Sequence, residues 1–272
     1  GEGAPVYHAQ LTAPALLVET LTPLSAGPVA RWDRVSEVDV EISSGTLSEV
    51  SQDQVLGGAN PLAIVGADGD VEVLQFQRAE LIGPRRYRLG MLLRGLLGTE
   101  GAAARPLPAG ARGVLLDEAV AHLPPSLDEI GVPFTYAVLP AGLPLDSAAR
   151  QDLAHVWRAR ALMPLAPVHL AAERVAGSGI AFSWIRRTRT GGDAWNTVDV
   201  PLGEAREAYL AELLDAAGLT VWSREVAAPS VVLSNAEELS VFGAPQSLVR
   251  LRVRQISDAV GPGLEARADF IV

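Results

Sequence analysis

The 272-residue chain reads as an all-β protein of two domains, residues 1–162 and 163–272. Three observations predict this. Short β-branched and aliphatic runs recur between Gly, Pro, Asn and Asp, a spacing that suits sandwiches and barrels rather than alternating βαβ units. The length supports two cores of roughly 100 to 160 residues each. A Pro-rich stretch, Met163-Pro164-Leu165-Ala166-Pro167, separates two segments of different character.

In the first segment, strand-like runs fall at residues 15–21, 35–42, 62–65, 71–76, 87–93 and 114–116. They predict a β-barrel or sandwich-like domain. Asp68-Gly69, between Ala63-Ile64-Val65 and Val71-Glu72-Val73, is a hairpin signal. Residues 146–157 stay open: Asp146 or Ser147 suits a helix N-cap, whereas His155-Val156-Trp157-Arg158 alternates like a strand. No repeat of fixed period argues for a solenoid or propeller.

The second segment is more regular. Val168, Leu170 and Ala172 alternate with His169 and Ala171, and Ile180, Phe182 and Trp184 share one strand face. One indole near the end of a second strand fills the gap between two sheets about 10 Å apart. Residues 204–217 are helical by propensity, but the expectation is a hairpin, with Tyr209, Ala211 and Leu213 on one face and a turn at Asp215-Ala216-Ala217-Gly218. Val249, Leu251 and Val253 face away from Arg250, Arg252 and Arg254, and Gly261-Pro262-Gly263 turns into a last strand at 264–272. The order resembles the fibronectin type III family. Pro167-Val168-His169-Leu170 is similar to its opening strand, Ile180-Ala181-Phe182-Ser183-Trp184 to its second, and Leu251-Arg252-Val253-Arg254-Gln255-Ile256 to its penultimate one. The family's Tyr before that strand is missing, with Phe242 or Leu248 as the substitute.

Composition removes several functions. All 22 basic residues are Arg, so a Walker-type phosphate loop, a Schiff-base enzyme and a kinase, each needing a Lys amine, are excluded. Arg-only usage with abundant Ala, Gly and Pro reads as a GC-rich genome. Cysteine is absent, which removes disulfides and thiolate metal sites. A net charge of -10 argues against specific nucleic-acid binding. No run of about 18 to 20 apolar residues suggests a membrane anchor. Gly1-Glu2-Gly3-Ala4-Pro5 leads directly into strand-like sequence, which reads as a segment of a longer polypeptide whose upstream part completes the first domain.

The most distinctive passage is Leu93-Arg94-Gly95-Leu96-Leu97-Gly98-Thr99-Glu100, followed by Ala109-Gly110-Ala111-Arg112 and Val114-Leu115-Leu116-Asp117. With Asn60-Pro61-Leu62-Ala63, Leu74-Gln75-Phe76, Trp184-Ile185-Arg186-Arg187-Thr188-Arg189 with Gly192-Asp193, Asp199-Val200-Pro201-Leu202-Gly203-Glu204 and Phe242-Gly243-Ala244-Pro245, it resembles the C-terminal part of the large tail-tip proteins, of megatron or host-specificity type, of gene transfer agents and long-tailed phages. The resemblance implies a tail hub or baseplate component, working as a homotrimer with other tail proteins, assembled in the bacterial cytoplasm and released at the particle's tail tip. It also implies contact with the recipient envelope or its surface glycan, passage of DNA, and a glycosidase-like domain upstream, so no catalysis is expected of this segment. Gly95 and Gly98 suit tight turns, and Arg94 and Glu100 are expected to pair across the loop.

Candidate sites are few. His8, His122, His155 and His169 lack metal-binding spacing, no Gly-x-Ser-x-Gly elbow is present, and no catalytic residue, cofactor or metal is expected. Asp128-Glu129 and Glu237-Glu238 read as solvated turns. Arg186, Arg187 and Arg189 with Trp195 form the expected recognition surface, because guanidinium groups beside an indole suit anionic sugars or phosphates. The Arg250, Arg252 and Arg254 row is expected to pair with acidic neighbours. An alternative function is a carbohydrate-binding module of an extracellular glycosidase, using Trp195 and Trp222 as a platform.

Overall fold

The computed structural model describes residues 6–7, 9–191 and 199–272. The chain divides into two compact units, Gly1–Ala161 and Leu162–Val272, both built mainly of β-strands.

In the first unit, β1 (Leu17–Thr20), β2 (Trp32–Asp33), β3 (Val38–Ile42), β4 (Pro61–Val65), β5 (Val71–Gly83), β6 (Arg86–Leu96) and β7 (Arg112–Leu115) form one sheet. Its strands pair in the order β6-β3-β1-β7-β4-β5, and β5 returns to β6. The barrel therefore closes on its own strands, and β2 extends β6 beyond β3. Closure removes the open edges that invite foreign strands. The period-two pattern explains which side faces in. Val38, Val40 and Ile42 are buried, while Asp39 and Glu41 point out to Arg88 and Arg86 of β6 at 2.8 and 3.0 Å. Exposed pairs of this kind are worth at most about 1 kcal/mol; the buried Leu24, Leu62, Ile64, Phe76 and Leu89 contribute about 1.5–3 kcal/mol each.

Asp68-Gly69 makes the expected β4–β5 turn, with Gly69 at φ +81°. Two short helices, α1 (Gln52–Leu56) and α2 (Glu100–Ala103), sit between strands. Gln75 anchors α1 by donating to the Val55 and Ala59 carbonyls at 2.7 and 2.8 Å, and Asn60, at φ +54°, donates to Ser48 and Phe76 carbonyls. The open stretch resolves as strand: β8 (Pro133–Val138) pairs antiparallel with β9 (Gln151–Val156), preceded by turns rather than a helix.

The second unit contains β10 (Val168–Val175), β11 (Gly179–Ile185), β12 (Tyr209–Leu214), β13 (Thr220–Val226), β14 (Ser230–Ser234), α3 (Asn235–Phe242), β15 (Leu248–Ser257) and β16 (Gly261–Ile271). Sheet β10-β11-β14 faces sheet β13-β12-β15-β16, three strands against four, which is the fibronectin type III-like sandwich expected. Ile180, Phe182, Trp184 and Leu233 meet Tyr209, Ala211, Leu213, Leu251 and Val253 in its core. Residues 209–214 are a strand because Tyr209, Ala211 and Leu213 become wholly buried between β13 and β15, which outweighs a helical propensity of tenths of a kcal/mol per residue.

Of the two residues offered in place of the family's Tyr, Leu248 stays exposed and Phe242, at the end of α3, packs on the core. One expectation needs correcting. Glu237 and Glu238 are not a solvated turn. Glu237 closes a capping box with Ser234 at the start of α3, and Glu238, 1% exposed, receives Arg174 at 2.8 and 3.0 Å and the Gln246 amide at 2.7 Å. Asp128 and Glu129 lie in a short 3-10 turn capped by Ser126.

Candidate functional site

Arg94 sits on β6 with its side chain directed inward, 1% exposed. Its Nε and Nη2 grip both oxygens of Glu72 on β5, the second at 2.8 Å, and Nη1 donates to the Ser25 carbonyl at 3.0 Å. Asp33 of β2 lies 3.6 Å from Nη1. The bidentate partner is thus Glu72, not Glu100: alternation along β6 turns Arg94 towards the neighbouring strand rather than over the loop. Burial is the largest single influence on the Asp33 carboxyl and raises its pKa. The amide and hydroxyl of Ser36, the Val35 amide and Arg94 together outweigh it and hold the pKa below its ordinary value.

The other motif residues build the turn that follows. Gly95 has φ +67°, and a Cβ there would lie 2.9 Å from both Glu100 Cα and Val29 Cγ1. Gly98 has φ +79°, and a Cβ would collide with the Arg160 carbonyl oxygen, so this glycine leaves room for the chain returning at 160. Thr99 precedes α2. Its hydroxyl accepts from the Val73 amide at 3.0 Å and donates to the Leu96 carbonyl at 2.7 Å, tying β5 to β6. Glu100 opens α2. Every group followed here turns to the fold itself, as a structural clasp does.

In the sandwich, Arg186 donates to Asp199 at 2.5 Å and to the Val200 and Pro201 carbonyls at 2.8 and 3.2 Å. Arg189 donates to Glu204 at 3.0 Å, and Arg187 is engaged as well. Trp195 lies outside the described residues. Two of the three guanidinium groups expected to form a cationic surface, Arg186 and Arg189, are therefore matched by carboxylates 13 and 15 residues downstream. Trp222 is half-buried against the core with Arg224 5.0 Å above its ring, an indole already covered on that face. Trp184 is 3% exposed and meets Tyr209 edge-on at 5.4 Å and 71°.

The Arg row pairs as expected. Arg250 faces Asp269 at 3.4 Å, and Arg252 clamps Glu212 of β12 at 2.6 and 2.8 Å with Arg254 3.3 Å away. Hydrogen bonds from Arg252 lead, against burial, in holding Glu212 below its ordinary carboxyl value; Arg174 does the same for Glu238. A carboxyl depressed in the folded state binds fewer protons there than when unfolded. Its stabilisation is therefore complete above the ordinary value near 4.5 and is lost as pH falls through the lower folded value. The urea midpoint of the sandwich is expected to hold from pH 7 to pH 5 and to drop below pH 4.5. Glu212→Gln is expected to lower the midpoint at pH 7 and flatten that drop, and an equal acid slope in the variant would contradict the assignment.

Among the described residues no three His, Asp or Glu side chains converge on a metal-binding geometry, and no helix is long and apolar enough to cross a membrane. An open hollow of ≈ 510 Å³ on the barrel's outer wall is lined by Leu17, Glu19, Glu41, Arg85 and Arg112. Reading the sequence missed Glu72, Asp33 and Glu212 as the carboxylates of the buried pairs. For Glu72 a signal was present: it sits in the apolar run at 71–76, where an acid needs a partner.

Residues 15–114 match the family model described as Rcc01698-like, C-terminal. The name is that of a Rhodobacter capsulatus protein related to gene transfer agents, which hints at a protein of that type. No curated protein matches the chain. Among solved structures, it is similar to domains d3-d4 of the rat CD45 extracellular region, at 10% identity over 58% of this chain and 72% of that one, TM-score 0.30. It is also similar to the chicken CNTN1 FN1-FN3 domains, at 14% identity over 93% and 67%, TM-score 0.28. Neither likeness carries an argument about activity, and the family match covers the barrel alone, from just before β1 to the penultimate residue of β7.

Proposed function

We propose that the chain is a structural component of the tail tip or baseplate of a phage-like particle, taking part in attachment to the recipient cell and in DNA delivery, with no catalysis of its own. The observation that carries this reading is the family match over residues 15–114, because that span contains the tail-tip-like passage at 93–100. The physics of the barrel agrees with a shape-holding role. Its interior is filled by apolar side chains around a buried ion cluster, which resists deformation. An acidic net charge of -10 suits DNA passage, since phosphate is repelled rather than held. Partners on this reading are further copies of the chain, other tail proteins, and the recipient envelope or its glycans.

Immunogold labelling of purified particles with an antibody to the sandwich is expected to mark the tail end far from the capsid, and the same antibody is expected to block DNA transfer. Label spread over capsids, or transfer by particles lacking the protein, would overturn the reading.

A further inference from the structure

The outer wall of the barrel is of two kinds. On β3 and β6 the outward residues are charged and paired, as Asp39 with Arg88 and Glu41 with Arg86. On β1, β7 and β4 Leu17, Val114 and Ala63 form an apolar row across the three strands, with Leu21 and Val65 beside it. Glu19 stands opposite Arg112 on this wall, and among the described residues neither makes an ion pair. The hollow of ≈ 510 Å³ opens here, lined by Leu17 and Leu21 together with Glu19, Glu41, Arg85 and Arg112. The chain that leads into β1 is apolar as well. From Val6 to Val18 it has no Asp, Glu or Arg. Residues 6–7 and 9–14 are exposed and belong to no strand, with Tyr7 at 76% and Leu11 at 65%. Pro14, which has no N–H, keeps the segment from extending the β1 ladder. Two apolar features open to water thus adjoin at the start of β1, and apolar surface of this kind marks a contact.

We propose that the segment docks on a second copy of the chain, with Tyr7 seated in the neighbour's hollow and Leu11 on its apolar wall. The segment leaves β1 at Leu17, whereas the hollow runs along β1 towards Leu21, so a copy filling its own hollow would have to double back on itself. The chain from Tyr7 to Ala15 spans up to about 29 Å when extended, enough to cross to a neighbour. The chemistry of the hollow fits a phenol. The ring is buried on Leu17 and Leu21, and the hydroxyl stays among carboxylates that accept and guanidinium groups that donate. The segment brings no charge of its own against them. The surface given and the surface received differ, so the contact is heterologous, and its repetition about an axis closes a ring. Threefold closure of that ring rests on the tail-tip reading, while the contact rests on the wall and the segment alone.

The chain has no cysteine, so introduced thiols report on the contact without background. Val6→Cys and Leu21→Cys, which leave Tyr7 and Leu17 in place, are combined in one chain and treated with a short bis-maleimide. A covalent trimer is expected on denaturing gels. Each single-cysteine chain is expected to stay unlinked alone and to give a dimer band when the two are mixed, because position 6 meets position 21 of the next copy and not its own kind. In parallel, Tyr7→Asp with Leu11→Asp changes two exposed side chains and sets a carboxylate against Glu19 and Glu41. That variant is expected to turn the parent chain's trimer into a monomer by sedimentation velocity, with its circular dichroism unchanged. A link formed within one chain would mean that the segment serves its own barrel, and single-cysteine chains that link to themselves would mean a two-fold contact. Either result overturns the proposal. So does a parent chain that is monomeric at high micromolar concentration, a trimer that survives the double aspartate variant, or flotation with phosphatidylglycerol vesicles in place of self-association. Immunogold label over capsids would sink the tail-tip reading and leave the cross-link between copies standing, so the two fail separately.

Discussion

Arg94→Ala is expected to cost the barrel about 3–5 kcal/mol, the range for removing one member of a buried ion pair and leaving the other uncompensated. Three ionisable groups lie together, Arg94 at 1%, Glu72 at 0% and Asp33 at 3% exposure, with the single cation between two carboxylates. Removing it strands both acids in a site closed to water and takes the donor from the Ser25 carbonyl. Glu72→Leu alone is expected to hurt nearly as much, because the guanidinium is then left with the more distant Asp33. Arg94→Ala combined with Glu72→Leu is expected to cost less than the two single changes added together, since neither member of the bidentate pair is then left buried without the other. Urea unfolding of the four proteins, followed by hydrogen exchange at β5 and β6 amides, measures the cycle. A single-variant cost under about 1 kcal/mol, the range of exposed pairs, would mean that the cluster is wet rather than buried.

That cluster also marks where the sequence stops being legible. Alternation placed β11 and β15 with their inward faces, because Phe182 or Leu251 on the wrong side would each forfeit about 1.5–3 kcal/mol of burial. The hairpin at Asp68-Gly69 was readable because a tight turn needs a residue at ease with positive φ. Partner choice was not. Arg94 and Glu72 are 22 residues apart, and only closure of β5 onto β6 brings them together. Glu238 was misread for the same reason: its partner Arg174 lies 64 residues away, and a local window shows two acids in polar company. Gly98 looked like a turn glycine and is one, yet the contact that forbids a side chain there comes from Arg160. Candidate sites suffered most, because a guanidinium's availability depends on whether a distant carboxylate has reached it, as Asp199 has reached Arg186.

Trp184→Ala is expected to destabilise the sandwich by about 3–5 kcal/mol, the range for removing a buried aromatic and leaving its cavity. The indole stands on β11 between the sheets, 3% exposed, with Tyr209 of β12 edge-on at 5.4 Å. Among the described residues its Nε1 finds no hydrogen-bond partner, so the expected loss is one of packing. Trp184→Phe is therefore expected to keep more than half of the stability, because a phenyl ring retains most of the contact with Tyr209. Trp222→Ala is the matched control on the same unit. That ring is half-buried at the sheet edge beneath Arg224, and its loss is expected to cost about 1–2 kcal/mol. Amide exchange at β11, β12 and β15 in the three variants orders them: alanine at 184 fastest, alanine at 222 next, phenylalanine at 184 closest to the parent. Equal losses at 184 and 222 would place the two indoles in equivalent surroundings and contradict a sandwich whose core is centred on Trp184.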